Sequence, residues 1–285
     1  MSRRLKIGFA VALSAVAVGW LLAPVPESGF VYATPSGEPL RLDLDYPVGP
    51  GPHPVVLFAP HRGDWGPSFK RDDRCHRLVA ALTGRGFAVA TIHYRLVGAH
   101  RFPAQIEDGK AAVRWLRGNA PRLGLAADRV GVIGVSAGGD GACMLGTTGR
   151  GDGFDPPGEE GAARVQAVVA LGAPADLTVP LSVTGERLYL RPYLGASRDA
   201  EPALYARASP GTYATPDDPP FLLIHATNDA VVPVAQPRAF VAQLRRAGVS
   251  AELVEEGGAV HVWGGERLDK TLGRVCTFLE SHLRK

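Results

Sequence analysis

Residues Arg129–Gly146 read RVGVIGVSAGGDGACMLG. The first seven, RVGVIGV, are apolar and rich in β-branched side chains, as a buried strand requires. The last seven, DGACMLG, contain no proline and suit a helix. Between them stands Gly134-Val-Ser136-Ala-Gly138. Glycine and serine are ordinary turn residues, so a bare G-x-S-x-G says little. Between a strand and a helix it predicts a tight turn that strains the Ser136 backbone and lifts its hydroxyl above the sheet. The next amide, Ala137 N–H, then points towards whatever the hydroxyl attacks.

The rest of the chain repeats the strand-then-helix alternation. GFVYAT (29–34) and LRLDLDYP (40–47) alternate apolar and polar residues like half-buried strands. PVVLFA (54–59), FAVATIHY (87–94), VQAVVAL (165–171), PFLLIHA (220–226) and SAELVEE (250–256) are further strand candidates. Helical spacing appears in 75–86, 106–120, 236–248 and 265–283. Strands alternating with helices of this length predict an α/β domain, with a mostly parallel sheet covered on both faces. GRGDGFDPPGEEG (149–161) reads as a turn-rich loop, and the irregular stretch 178–213 reads as a short cap over a site.

An activated serine needs a base, and the base needs an orienting carboxylate. Asp229, in ATNDAVVP, follows the strand PFLLIHA at the strand's carboxyl end, where ligand sites of α/β sheets collect. His261 lies in the glycine-rich GGAVHVW, after the last strand. His61 and His93 precede the serine, and His53 and His225 read as strand-adjacent. His76, His100 and His282 read as exposed or loop positions. Asp199 and Asp217 follow no strand, which makes them weaker candidates for the acid.

Together with HYRL (93–96), FPAQIEDGKAAVRWLR (102–117), DRVGVIGVSAGG (128–139) and the closing GAVHVW, these motifs resemble the α/β-hydrolase fold. Within it, the chain is similar to the hormone-sensitive-lipase-like and bacterial feruloyl- and acetyl-esterase-like serine hydrolases. The resemblance runs from about Phe30 to the end and implies Ser136 as nucleophile, Asp229 as acid and His261 as base. It places the oxyanion hole at the Ala137 amide and at amides of the loop after His61, with no cofactor or metal. The implied substrate is a small-molecule ester, with a short acyl group on a sugar or aryl alcohol.

The loop FAPHRGDW (58–65) departs from the family's His-Gly-Gly-Gly-Trp, having Arg62 and Asp64 at two of the three glycine positions. Oxyanion holes work through backbone N–H groups, so neither residue deletes a donor. Arg62 and Gly63 are therefore kept as oxyanion positions, and Asp64 and Trp65 as substrate contacts at the mouth. Two rival readings stay open: amide, formamide or peptide hydrolysis by the same triad, and a silent hydrolase scaffold used for binding.

The 285 residues carry 31 Lys and Arg against 28 Asp and Glu. Arg3, Arg4 and Lys6 account for the whole excess, so the body is neutral and no nucleic-acid footprint is expected. Those charges precede IGFAVALSAVAVGWLLA (7–23), an uncharged run near the lower limit of roughly 17 residues for a membrane span. Residues 1–27 are expected to be an export signal or membrane anchor. We read an uncleaved anchor, because no good cleavage site follows the run. The catalytic domain, 28–285, is then expected on the periplasmic or extracellular side. Cys75, Cys143 and Cys276 are widely spaced, which argues against a metal site. Cys143 is expected in the core. The sequence leaves a Cys75–Cys276 bridge open, and with it the oligomeric state.

Overall fold

The structure is a computed structural model that describes residues 27–60, 72–258, 260–261 and 264–284. Its centre is one eight-stranded sheet: β1 (Glu27–Ala33), β2 (Leu40–Asp45), β3 (His53–Ala59), β4 (Ala88–Ile92), β5 (Leu125–Val135), β6 (Ala167–Leu171), β7 (Phe221–Ala226) and β8 (Ala251–Glu256). The order across the sheet is β1-β2-β4-β3-β5-β6-β7-β8. β1 and β2 pair antiparallel, and β2 is antiparallel to β4; every pairing from β4 to β8 is parallel. This is the mostly parallel sheet expected from the strand–helix alternation, and the α/β-hydrolase architecture that the resemblance implies.

The helices are α1 (Asp73–Thr83), α2 (Ala104–Leu123), α3 (Ala137–Thr147), α4 (Ala235–Arg246) and α5 (Gly265–Leu283). The two-residue period of the strands divides the core between the sheet's faces. Val55 and Leu57 pack with Val113 and Leu116 of α2, Cys143 of α3 and Phe240 of α4. Val56 and Phe58 point the other way, against Leu78 and Leu82 of α1 and Leu272 and Leu279 of α5. β3, β4, β6 and β7 are buried along nearly their whole length, as strands covered on both faces must be. The partial exposure of β8 fits its place at the edge.

Helix ends follow local chemistry. The Asp72 carboxylate caps α1 by accepting from the Arg74 amide at 3.0 Å. α2 runs through Pro121, further than its apolar spacing predicts, and stops where Gly124 turns left-handed at φ +62°. Cys75, Cys143 and Cys276 are all buried free thiols, so the bridge left open between Cys75 and Cys276 is not formed.

The irregular stretch 178–213 is a run of short turns: Val183–Gly185, a π-helical turn Glu186–Leu190, Arg191–Leu194, Pro202–Arg207 and a 3-10 turn Pro210–Tyr213. Leu190, Tyr193, Leu194 and Tyr205 form a third apolar cluster with Ile106 of α2 and Met144 of α3. No helix among the described residues is long and apolar enough to cross a membrane. The run 7–23 lies outside the described residues.

Candidate active site

Ser136 stands at the junction of β5 and α3 with φ +54° and ψ −118°, outside the regions an L-residue normally occupies. The turn closes only because its neighbours lack side chains. A Cβ on Gly134 would lie 2.0 Å from the Gly138 carbonyl oxygen, and one on Gly138 would lie 2.1 Å from that of Ala59. A Cβ on Gly139 would meet the Ala173 methyl at 2.6 Å. The Ser136 amide donates to Leu171 O at 2.8 Å, tying the turn to the end of β6. Ala137 is the first residue of α3, so its N–H is among those without an intrahelical acceptor.

The structure brings Ser136, His261 and Asp229 together from three separate parts of the chain. Ser136 Oγ lies 2.9 Å from His261 Nε2, and His261 Nδ1 lies 2.7 Å from Asp229 Oδ2. The other carboxylate oxygen, Asp229 Oδ1, accepts from the amides of Val231 and Val232, each at 2.8 Å. Burial works to raise the Asp229 pKa, but the hydrogen bonds from His261 and these amides outweigh it, holding the carboxyl below its ordinary value. An ionised Asp229 keeps the His261 proton on Nδ1 and leaves the Nε2 lone pair facing the serine.

Three residues have supporting roles that the sequence reading did not assign. Gly172, at φ +58°, sits under the imidazole, and a Cβ there would approach His261 O to 3.1 Å. Its only signal was a glycine directly after a strand. His225 is buried, its Nε2 2.8 Å from Val232 O and 3.5 Å from Asp229 Oδ2. Burial lowers its pKa, so the neutral ring donates to Val232 O and braces the loop that carries Asp229.

The third is Asp140 in the first turn of α3, with no exposed surface. Tyr189 of the π-helical turn donates to Asp140 Oδ2 at 2.8 Å and stacks on Tyr193 at 5.1 Å between ring centroids. Burial pushes the Asp140 carboxyl up to about 7, against the opposing pull of the Tyr189 and Tyr193 hydroxyls. The stretch 178–213 is thus tied to α3, the helix that follows Ser136. It is also tied to the acid loop, because Ser182 Oγ donates to Val231 O at 3.0 Å.

The other sequence candidates fall elsewhere. His53 opens β3, at the end of the sheet away from Ser136, and Asp217 pairs with Arg164. Arg62, Gly63, Asp64 and Trp65 lie outside the described residues. The last described residue before them is Pro60, whose carbonyl accepts from the Tyr94 hydroxyl at 2.6 Å.

Comparison with known proteins agrees with this architecture. The BD-FAE family profile matches residues 42–244. Esterase LipC of Mycobacterium tuberculosis is 30% identical over 80% of the chain and 58% of its own length. The probable carboxylic ester hydrolase LipM of the same organism is 33% identical over 84% of the chain and 56% of its own length. The chain therefore spans less than three-fifths of these curated relatives. Among solved structures, Thermogutta terrifontis esterase 2 phosphonylated by sarin superposes with a TM-score of 0.74 at 25% identity, over 91% of this chain and 95% of that one. A carbohydrate esterase from gut microbiota shares the fold, with a TM-score of 0.75 at 23% identity over 93% of this chain and 98% of its own. With the profile covering most of the folded domain and the strained serine between its two glycines, the chain belongs to the BD-FAE family of α/β hydrolases.

Proposed function

We propose that the protein is a serine carboxylic-ester hydrolase that works through an acyl-enzyme on short-chain esters. The observation that carries this is the continuous relay from Ser136 Oγ through His261 to a buried, ionised Asp229. His261 Nε2 takes the Ser136 proton as Oγ attacks the ester carbonyl. The developing oxyanion rests on the Ala137 amide and, on the sequence reading, on amides of Arg62 and Gly63. Collapse of the tetrahedral intermediate breaks the bond to the alcohol oxygen, which leaves with the proton from His261. Water then repeats both steps on the acyl-serine.

The relatives support the reading. The Thermogutta esterase was solved phosphonylated by sarin and, separately, with butyrate bound. Labelling with a fluorophosphonate probe, followed by turnover of short-chain aryl esters, tests the proposal. The wild type should label and hydrolyse, and Ser136→Ala should do neither while keeping its fold. Labelling that persists in the alanine variant would remove Ser136 as nucleophile.

A further inference from the structure

Asp140 stands one helical turn beyond Ser136. Its amide and that of Gly139 both donate to Ser136 O, at 3.2 and 2.9 Å. The side chain is wholly buried, and among the described residues no lysine or arginine pairs with it. Oδ2 accepts from the Tyr189 hydroxyl, and Tyr193 supplies a second hydroxyl. Oδ1 has no hydrogen-bond partner. A negative charge held here, with one oxygen unsatisfied and no cation to balance it, is costly.

The ionisable groups around Asp140 are Tyr189 and Tyr193 from the turns packed on α3, Tyr94 beside them, and Cys143 further along the helix. Burial holds Tyr189, Tyr193 and Cys143 well above their ordinary values, so they stay neutral around pH 7. The Tyr94 hydroxyl is engaged by Pro60 O. Asp140 is the carboxyl of this cluster, and burial pushes it up to about 7.

The reaction places its own negative charge at the same helix end. The oxyanion is received by the Ala137 amide, among the unpaired N–H groups and in the positive field at the N-terminus of α3. An ionised Asp140 in that first turn draws on the same field and repels the developing charge. Helix geometry puts the two charges on the order of 8 Å apart. At an effective dielectric of about 20, a charge at that distance slows oxyanion formation by about tenfold or more.

We infer that Asp140 is a positioning residue that acts through the N-terminus of α3: it must be neutral for the oxyanion to form fully, and its ionisation sets the alkaline limit of the reaction. This rests on the serine-hydrolase reading, so probe labelling of wild-type Ser136 accompanies every measurement.

The experiment follows kcat/KM for phenyl acetate, and the rate of fluorophosphonate labelling, from about pH 5 to about pH 9. Wild-type activity should rise while His261 loses its proton, then fall above about pH 7 to a level about tenfold lower or less. Asp140→Asn keeps an acceptor for Tyr189 and never ionises, so its activity should rise and stay up, exceeding the wild type at the alkaline end by about tenfold. Tyr189→Phe removes a donor that favours the carboxylate, so the fall should move to higher pH, a displacement that lost packing alone would not give. A wild type without the alkaline fall, or the same fall in a folded Asp140→Asn enzyme, overturns the assignment. Where the asparagine variant does not fold, an unmoved fall in Tyr189→Phe overturns it. A wild type that labels at no pH removes the serine-hydrolase reading, and the inference with it.

Discussion

Gly138→Ala tests the strained turn most directly. The added methyl would stand 2.1 Å from Ala59 O and 2.9 Å from Pro60 O, where real contacts need at least 3.0 Å. Both obstacles are backbone atoms, so no rotamer change relieves the clash. About 1 Å of movement must be shared between the start of α3, which carries the Ala137 amide, and the end of β3 at Ala59. A misplacement of this size in positioning groups costs about a hundredfold in rate, and we expect kcat/KM for phenyl acetate to fall by about that factor. Overpacking of this kind also destabilises by about 1–3 kcal/mol, readable by urea denaturation. The control is Gly118→Ala in α2, where the new methyl meets no atom within 4 Å. It should leave the rate unchanged and stabilise the fold by about 0.5–1 kcal/mol. A Gly138→Ala enzyme within about threefold of wild type would refute the argument that close approach at this glycine builds the site.

Three further outcomes follow from the structure and the sequence. Asp229→Asn leaves His261 Nδ1 facing an amide that can hold the wrong tautomer, so kcat should drop by about 10⁴, the precedent in another serine hydrolase; steady-state kinetics read this directly, and a loss of only a few-fold would move the acid role elsewhere. Asp140, ordinarily near 3.8, is pushed up to about 7, so between those values the folded state binds more protons than the unfolded one and stability declines as pH rises. Between about pH 5 and pH 8 that decline should be on the order of 2–3 kcal/mol in the wild type and absent in Asp140→Asn, by denaturation at both pH values. With Ile7–Ala23 acting as an uncleaved anchor, activity should sediment with membranes and the mature chain should retain the run; a soluble protein beginning near Pro24 or Glu27 would instead show a cleaved signal.

The sequence by itself determined the architecture and pointed to the three residues that the fold brings into one hydrogen-bonded relay. Strand and helix periods are local properties, and β3, β4, β6 and β7 lie within a few residues of their apolar runs because a parallel strand covered on both faces must be apolar throughout. Ser136 was legible because its strained turn demands glycine on both sides, and Asp229 and His261 because they follow strands in the right order. What only the tertiary structure decided are contacts between segments far apart in the chain. No local pattern reveals that Gly172 clears space for His261, or that His225 braces the Asp229 loop from within β7. Asp140 looks like an ordinary polar residue in the first helical turn. Only packing the turn Glu186–Leu190 onto α3 buries it against Tyr189, where loss of solvent raises its pKa and gives the carboxylate a hydroxyl partner. The thiols of Cys75 and Cys276 illustrate the same limit, since the sequence allows a bridge, whereas packing α1 beside α5 leaves both buried and free.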